Sequence, residues 1–239
     1  ARGYRVWAPN LRGYGASSRP GNVRDYALDR LVADIVALIA ASGAKKILLV
    51  AHDWGAVIAW AVAILHPELI DRLVIMNVPH PEVAEREIRH WRQLRRSWYM
   101  FFFQIPALPE WLLGARKARA IGRAFTGSAV NPERFGPEDM AIYRRAAARP
   151  GAVQAMLDYY RALFKYRDSV DLGEGRVTAP TLMIWGEQDV ALNIHCLDGT
   201  DEWVSDLEIV RLPQASHWVQ QDAPDAVNAA LADWLDRRG

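Results

Sequence analysis

Hydrophobic and polar positions along the chain switch repeatedly between two periods. "GYRVWAP" is a short β-rich run, and the Gly, Ser and Pro of "LRGYGASSRP" make a loop after it. From Asp25 the period becomes helical. Leu28, Leu31, Val32, Ile35, Leu38 and Ile39 share one face, and Gly43 gives the stop signal. "KKILLVA" is a continuous apolar run of strand length, as expected for a parallel strand covered on both faces. Residues 55–65 are nearly all apolar and too many for a strand, which predicts a buried helix ending near His66 and Pro67. "DRLVIMNVP" predicts the next strand. After Pro79 the alternation gives way to helical patterns such as "EVAEREIRHWRQLRR" and "PGAVQAMLDYYRALFKY". It resumes with the strands of "APTLMIWGEQD" and "DLEIVRLPQASHW" and a last helix, "PDAVNAALADWL".

Strands alternating with helices predict an α/β fold with a parallel sheet and functional loops at the C-terminal ends of its strands. Residues 1–79 and 177–239 would form this core, and 80–176 an inserted helical cap. No internal repeat or low-complexity tract interrupts the pattern.

Composition narrows the classes. The 239 residues are 51% hydrophobic, and 29 Lys and Arg balance 28 Asp and Glu to a formal charge of +1. That balance gives no electrostatic reason to expect nucleic acid or an anionic membrane. Cys196 is the only cysteine, so no internal disulfide or thiolate metal cluster can form. This suits a reducing cytoplasm, the location expected. "SWYMFFFQIPALPEWLLGA" is the most apolar stretch, but Gln104, Pro106, Pro109 and Glu110 interrupt it well short of a membrane span, so it reads as buried or cavity-lining. The cluster Arg92, Arg95 and Arg96 reads as a solvated face of the cap.

The topology gathers three polar residues at one sheet edge: Asp53 after one strand, Asp189 after a later one and His217 after the last. Each alone has a plain reading, as a helix N-cap, a turn former and a structural histidine. Their order is nucleophile, acid, histidine. Ala51 and Gly55 supply the small neighbours of a sharp strand-to-helix turn that would lift Asp53 above the sheet. The backbone N–H of Trp54 would then be an oxyanion donor at a helix N-terminus. His52 beside Asp53 lacks a third ligand at metal-binding spacing, so no metal is expected. "RGYG" has neither the glycines of a dinucleotide loop nor the lysine of a P-loop, and no cofactor is expected.

Together "RGYGASSRP", "HDWG", "NVPHP", "WGEQD" and "SHWVQQ" resemble the epoxide hydrolases of the α/β-hydrolase superfamily, with haloalkane dehalogenases next nearest. The resemblance spans nearly the whole chain. It implies that Asp53 attacks the saturated carbon of an apolar epoxide, giving an alkyl ester. Water activated by His217, itself oriented by Asp189, would hydrolyse that ester at the Asp53 carbonyl and release a vicinal diol. Serine at that position would give an ether that this machinery cannot cleave. Two cap tyrosines would protonate the departing alkoxide. The matching positions are Tyr99 in "WYMFFFQ" and Tyr160 in "DYYR", with the neighbouring Tyr159 as the alternative to the second. Trp54, Trp98, Phe103 and Trp218 would line the substrate site. The partners implied are epoxide and water, with neither nucleic acid nor a membrane span, and a homodimer is left open.

Members of that family carry further strands upstream and an "HGxP" loop with a second oxyanion donor. "GYRVWAP" resembles their fourth strand, so the chain reads as lacking the first strands, with ester hydrolysis expected to suffer. Two rival readings stand beside hydrolysis of epoxides. A dehalogenase would use the same Asp53, with the Trp54 indole N–H holding the halide. A non-catalytic fragment would bind apolar ligands without turnover. Asp53 at the elbow argues against a serine esterase.

Overall fold

The computed structural model describes residues 3–238. Four parallel strands lie side by side in chain order: β1 (Ile47–His52), β2 (Ile70–Met76), β3 (Thr181–Gly186) and β4 (Leu207–Leu212). Helix α1 (Leu28–Ser42) precedes β1, and α2 (Trp54–Leu65) connects β1 to β2. Between β2 and β3 the chain leaves the sheet for six helices: α3 (Pro81–Ile88), α4 (Trp91–Arg96), α5 (Trp98–Phe102), α6 (Leu108–Ser128), α7 (Pro137–Ala147) and α8 (Ala152–Lys165). After β4 come α9 (Val219–Asp222) and α10 (Pro224–Arg237).

Alternate residues of a strand point to opposite faces, so the sheet feeds two cores. Leu73, Ile75 and Met183 join Trp60, Ile58 and Ile39 on the side of α1 and α2. Val74, Leu182 and Ile184 join Trp234 and Leu235 of α10 on the other. Gly43, in the left-handed conformation at φ 72°, ends α1 where the glycine stop signal predicts.

Two strand expectations fail. "GYRVWAP" forms no ladder, and Tyr4, Val6 and Trp7 are exposed. A β-rich run becomes a strand only where another lends its backbone groups, and this one pairs with none of the four. β1 is not covered on both faces. It is the edge of the sheet, and Val50 is 43% exposed.

The apolar stretch 97–115 is only half inside. Its inward residues pack on α8, but Trp98, Phe101, Ile105, Leu108, Trp111 and Leu112 face solvent, because a single layer of helices has an outer side. α6 is broken at Ala115–Ala118, where Arg116, Lys117 and Ala118 take left-handed φ of 51°, 57° and 53°. Among the described residues, no helix is long and apolar enough to cross a membrane.

Candidate active site

Asp53 sits between β1 and α2 at φ 50°, ψ −130°, a region that L-residues seldom occupy. The turn's strain holds its side chain off the C-terminal edge of the sheet, where 45% of it stays exposed. His217 lies in the loop between β4 and α9, and Asp189 in the loop after β3. His217 Nδ1 meets Asp189 Oδ2 at 2.7 Å, and its Nε2 is 3.7 Å from Asp53 Oδ1. The first is a charge-assisted hydrogen bond. The second is an electrostatic contact, too long for a hydrogen bond.

Asp189 is 2% exposed and fully engaged. Its Oδ1 accepts from the backbone N–H groups of Ala191 and Leu192 at 2.7 and 2.9 Å. Its Oδ2 accepts from Asn77 Nδ2 at 2.9 Å as well as from His217.

Above Asp53 stands a cluster of rings from the helical insertion. Tyr99 of α5 and Tyr160 of α8 meet edge to face at 5.8 Å. Tyr160 also packs on Phe103 at 4.9 Å and on the Trp54 indole at 5.0 Å. Tyr159 turns the other way. It is fully buried among Tyr14, Tyr26 and Trp54, and its hydroxyl donates to the Arg12 carbonyl at 2.6 Å. Trp218 packs on Phe125 at 4.3 Å and near His217 at 5.0 Å, with its Nε1 donating to Ser128 Oγ at 2.8 Å. Trp98 is not brought into this group. It is 63% exposed and its ring meets Phe102 on the outer side of α5.

Residues 1–224 match the alpha/beta hydrolase fold family. Epoxide hydrolase 4 of Mus musculus is 38% identical over 238 residues, which are 97% of this chain and 66% of that protein. The AB hydrolase superfamily protein YfhM of Bacillus subtilis is 34% identical over 98% of this chain and 81% of its own length. The crystal structure of Bacillus megaterium epoxide hydrolase in complex with an inhibitor superposes with a TM-score of 0.87. It is 32% identical, over 95% of this chain and 82% of that one. The chain belongs to the α/β-hydrolases and, among them, to the epoxide hydrolase family. It spans just under two thirds of the length of the Mus musculus relative.

In this epoxide hydrolase family member, electrostatics pull the two ends of the constellation apart. Burial opposes a charge on His217, but Asp189 and then Asp53 outweigh it and push its pKa up to about 10. The protein around Asp53 opposes ionisation in the same way. His217 and the Trp54 backbone N–H nevertheless hold its carboxyl below the usual range. Asp189 is likewise held low, chiefly by His217 against the cost of burial. Tyr99 and Tyr160 are pushed well above the ordinary phenol value by burial and by the negative charge of Asp53. They remain proton donors at any neutral pH.

Sequence reasoning missed several contributors. Asn77, at φ 46° after β2, is wholly buried. Its amide accepts from Gly186 N and donates to both the Gly186 carbonyl and Asp189. His52 meets the His217 carbonyl through Nε2 at 2.8 Å, and Gln220 Nε2 reaches its Nδ1 at 3.2 Å. A carbonyl can only accept, so Nε2 carries the proton and Nδ1 is the acceptor. Burial, followed by the charge of His217, pushes His52 down to about 4 and keeps it neutral. Tyr14, from "RGYG", is a third phenol raised by burial and by Asp53. Arg92 and Arg95 are exposed, but Arg96 departs from the reading of their cluster as solvated, since its guanidinium donates to the Asp189 carbonyl. A groove of about 550 Å³ between the 9–18 loop and α1 stands apart from all of these. Its ionic residues Arg12 and Asp34 are already paired, at 2.6 Å.

Proposed function

We propose that the protein opens apolar epoxides to vicinal diols through a covalent ester on Asp53. The observation that carries this reading is the convergence of two donors and one carboxylate: the phenols of Tyr99 and Tyr160 both feel the charge of Asp53, whose Oδ1 lies 3.7 Å from His217 Nε2. An ionised Asp53 oxygen attacks a ring carbon, and a new C–O bond replaces the broken one. The electron pair of the broken bond goes to the epoxide oxygen, and that oxygen takes a proton from a tyrosine instead of leaving as a bare alkoxide.

The ester carries no charge, which removes one of the two carboxylates that raise His217. The ring then gives up its proton more readily; that proton replaces the one the tyrosine lost, and the neutral ring serves as the base. Water loses a proton to Nε2 and its oxygen adds to the Asp53 carbonyl carbon. The Trp54 backbone N–H is placed at the helix start to meet the resulting oxyanion. Collapse expels the diol oxygen, which takes the proton from His217, and the new Asp53 carboxyl passes its own proton to His217, which restores the carboxylate and the protonated ring. Asp189 stays ionised and holds the Nδ1 proton throughout. The ring walls of Trp54, Phe103 and Tyr160 favour an apolar substituent. In this reading residues 80–176 act as the cap, with Trp218 at the rim of the site.

The test is intact-protein mass spectrometry after brief incubation with styrene oxide, with the diol assayed in solution. The unaltered chain should form diol, His217→Gln should accumulate an adduct of one substrate mass, and Asp53→Asn should do neither. An adduct on Asp53→Asn, or diol formed by it at the parent rate, would refute Asp53 as nucleophile.

A further inference from the structure

α5 has two faces. Tyr99 and Phe103 turn inward onto Tyr160, while Trp98 and Phe101 face solvent. Phe101 packs on Phe164 of α8 at 5.6 Å, and Phe164 is itself 43% exposed. The exposed run continues through Ile105, Leu108, Trp111 and Leu112. One half-buried guanidinium knits this run to α8. Arg161 donates to the carbonyls of Phe103 at 3.0 Å and Ile105 at 3.1 Å, and pairs with Glu110 at 2.6 Å. The side chains therefore form one apolar outer surface on the helical insertion, of the kind that marks an interaction site.

The formal charge of +1 conceals what borders this surface. From Trp91 to Ser128 there are seven Lys and Arg and a single acidic residue, Glu110, which Arg161 already neutralises. Arg116, Lys117, Arg119 and Arg123 are exposed directly after the apolar run.

Charge decides between the candidate occupants. A symmetric dimer through this surface would lay the patch on its own copy and bring like charges together. Nucleic acid offers phosphates but no hydrocarbon for Ile105, Leu108 and Leu112. An anionic bilayer offers both, and tryptophan favours its interface. We propose that this outer face of α5 and α6 docks on an anionic phospholipid surface. Trp111 and Leu112 enter the boundary between headgroups and acyl chains, and Arg116, Lys117, Arg119 and Arg123 lie against the phosphates. The contact is monotopic and independent of the chemistry at Asp53.

The experiment is flotation of the whole chain with vesicles of phosphatidylcholine mixed with phosphatidylglycerol, and of phosphatidylcholine alone, at low and high salt. Binding should favour the anionic vesicles and weaken with salt. Trp111→Ser combined with Leu112→Ser should lower partitioning about tenfold. Replacing Arg116, Lys117, Arg119 and Arg123 with Gln should lower it by about a hundredfold or more. Brominated acyl chains should quench tryptophan fluorescence of the unaltered chain, a readout that needs no variant. Asp53→Asn should bind as the parent does, so a failed hydrolase reading leaves this result intact. The proposal is overturned if the chain does not float with anionic vesicles, or floats without quenching. It is also overturned if both variants bind like the parent, if a DNA oligonucleotide binds in place of vesicles, or if Trp111→Ser with Leu112→Ser merely dissolves a dimer.

Discussion

Asn77 and His217 share one oxygen. Both donate to Oδ2 of Asp189, at 2.9 and 2.7 Å, so the carboxylate that orients the histidine is itself oriented from the end of β2. The left-handed φ of 46° at Asn77 turns its amide across to β3, where it also joins both backbone groups of Gly186. Asparagine tolerates that conformation better than other non-glycine residues do.

Asn77→Ala removes a hydrogen bond to a buried charge, worth about 1.5–3 kcal/mol, which corresponds to roughly a tenfold to hundredfold loss in rate if the acid is no longer held. The turnover number for styrene oxide should fall by that factor with KM nearly unchanged, since Asn77 lies behind Asp189 rather than against the substrate. Steady-state kinetics of the variant check this, and a raised KM with unchanged turnover would contradict it.

The proximity of Asp53, Asp189 and His217 was legible because each follows a strand, and strand order converts linear order into position at one edge. Asn77 was not legible for the opposite reason. Its role depends on the pairing of β2 with β3, which brings together residues 112 positions apart. "NVPHP" marked the segment but not the direction of its amide. Tyr160 and Tyr159 are consecutive, so their opposite directions follow from how α8 seats on α2 and the 11–14 loop, and sequence alone left both open. Trp98 and Tyr99 pose the same problem on α5. The failed strand at 3–9 shows the limit of propensity, since a ladder needs a partner as well as β-forming residues.

Tyr159 and Tyr160 should therefore separate cleanly in function. Tyr99→Phe combined with Tyr160→Phe removes both proposed proton donors, and single-turnover alkylation by styrene oxide should slow by at least about a hundredfold. Tyr159→Phe loses only the bond to the Arg12 carbonyl, so it should cost about 1 kcal/mol of stability with turnover within about twofold of the parent. A halogenated alkane substrate would be insensitive to the phenol pair, and its turnover by the double variant would favour the dehalogenase reading.

At Gly186 the sheet and the histidine loop touch without room for a side chain. A Cβ there would lie 2.2 Å from the Ser216 carbonyl oxygen and 2.6 Å from that of Ala215, both backbone atoms that cannot swing aside. Gly186→Ala should destabilise the fold by about 3 kcal/mol or more. It should also displace His217, so turnover should drop even in the folded fraction. Urea denaturation followed by activity measurement well below the midpoint distinguishes these effects. Full activity there would mean that the loop had absorbed the clash without moving His217.

Three histidines set opposing pH limits on stability. His52 and His80 are pushed from 6.5 down to about 4 by burial, so the unfolded chain takes up their protons first. Their contribution is complete above pH 6.5 and is lost as pH falls through 4. His217 behaves oppositely. Its pKa of about 10 means that the folded chain holds a proton the unfolded chain releases, so its contribution is complete below pH 6.5 and is lost as pH rises through 10. The melting temperature should thus peak near pH 6.5 and fall on both sides, more steeply toward acid, where two histidines act against one. Calorimetric scans from pH 4 to pH 10 check this, and Asp189→Asn should flatten the alkaline limb by removing the larger of the charges that raise His217. A melting temperature that climbs steadily from pH 7 to pH 9 would show that His217 is neutral in the folded chain, and the free enzyme would then start its cycle with the base already unprotonated.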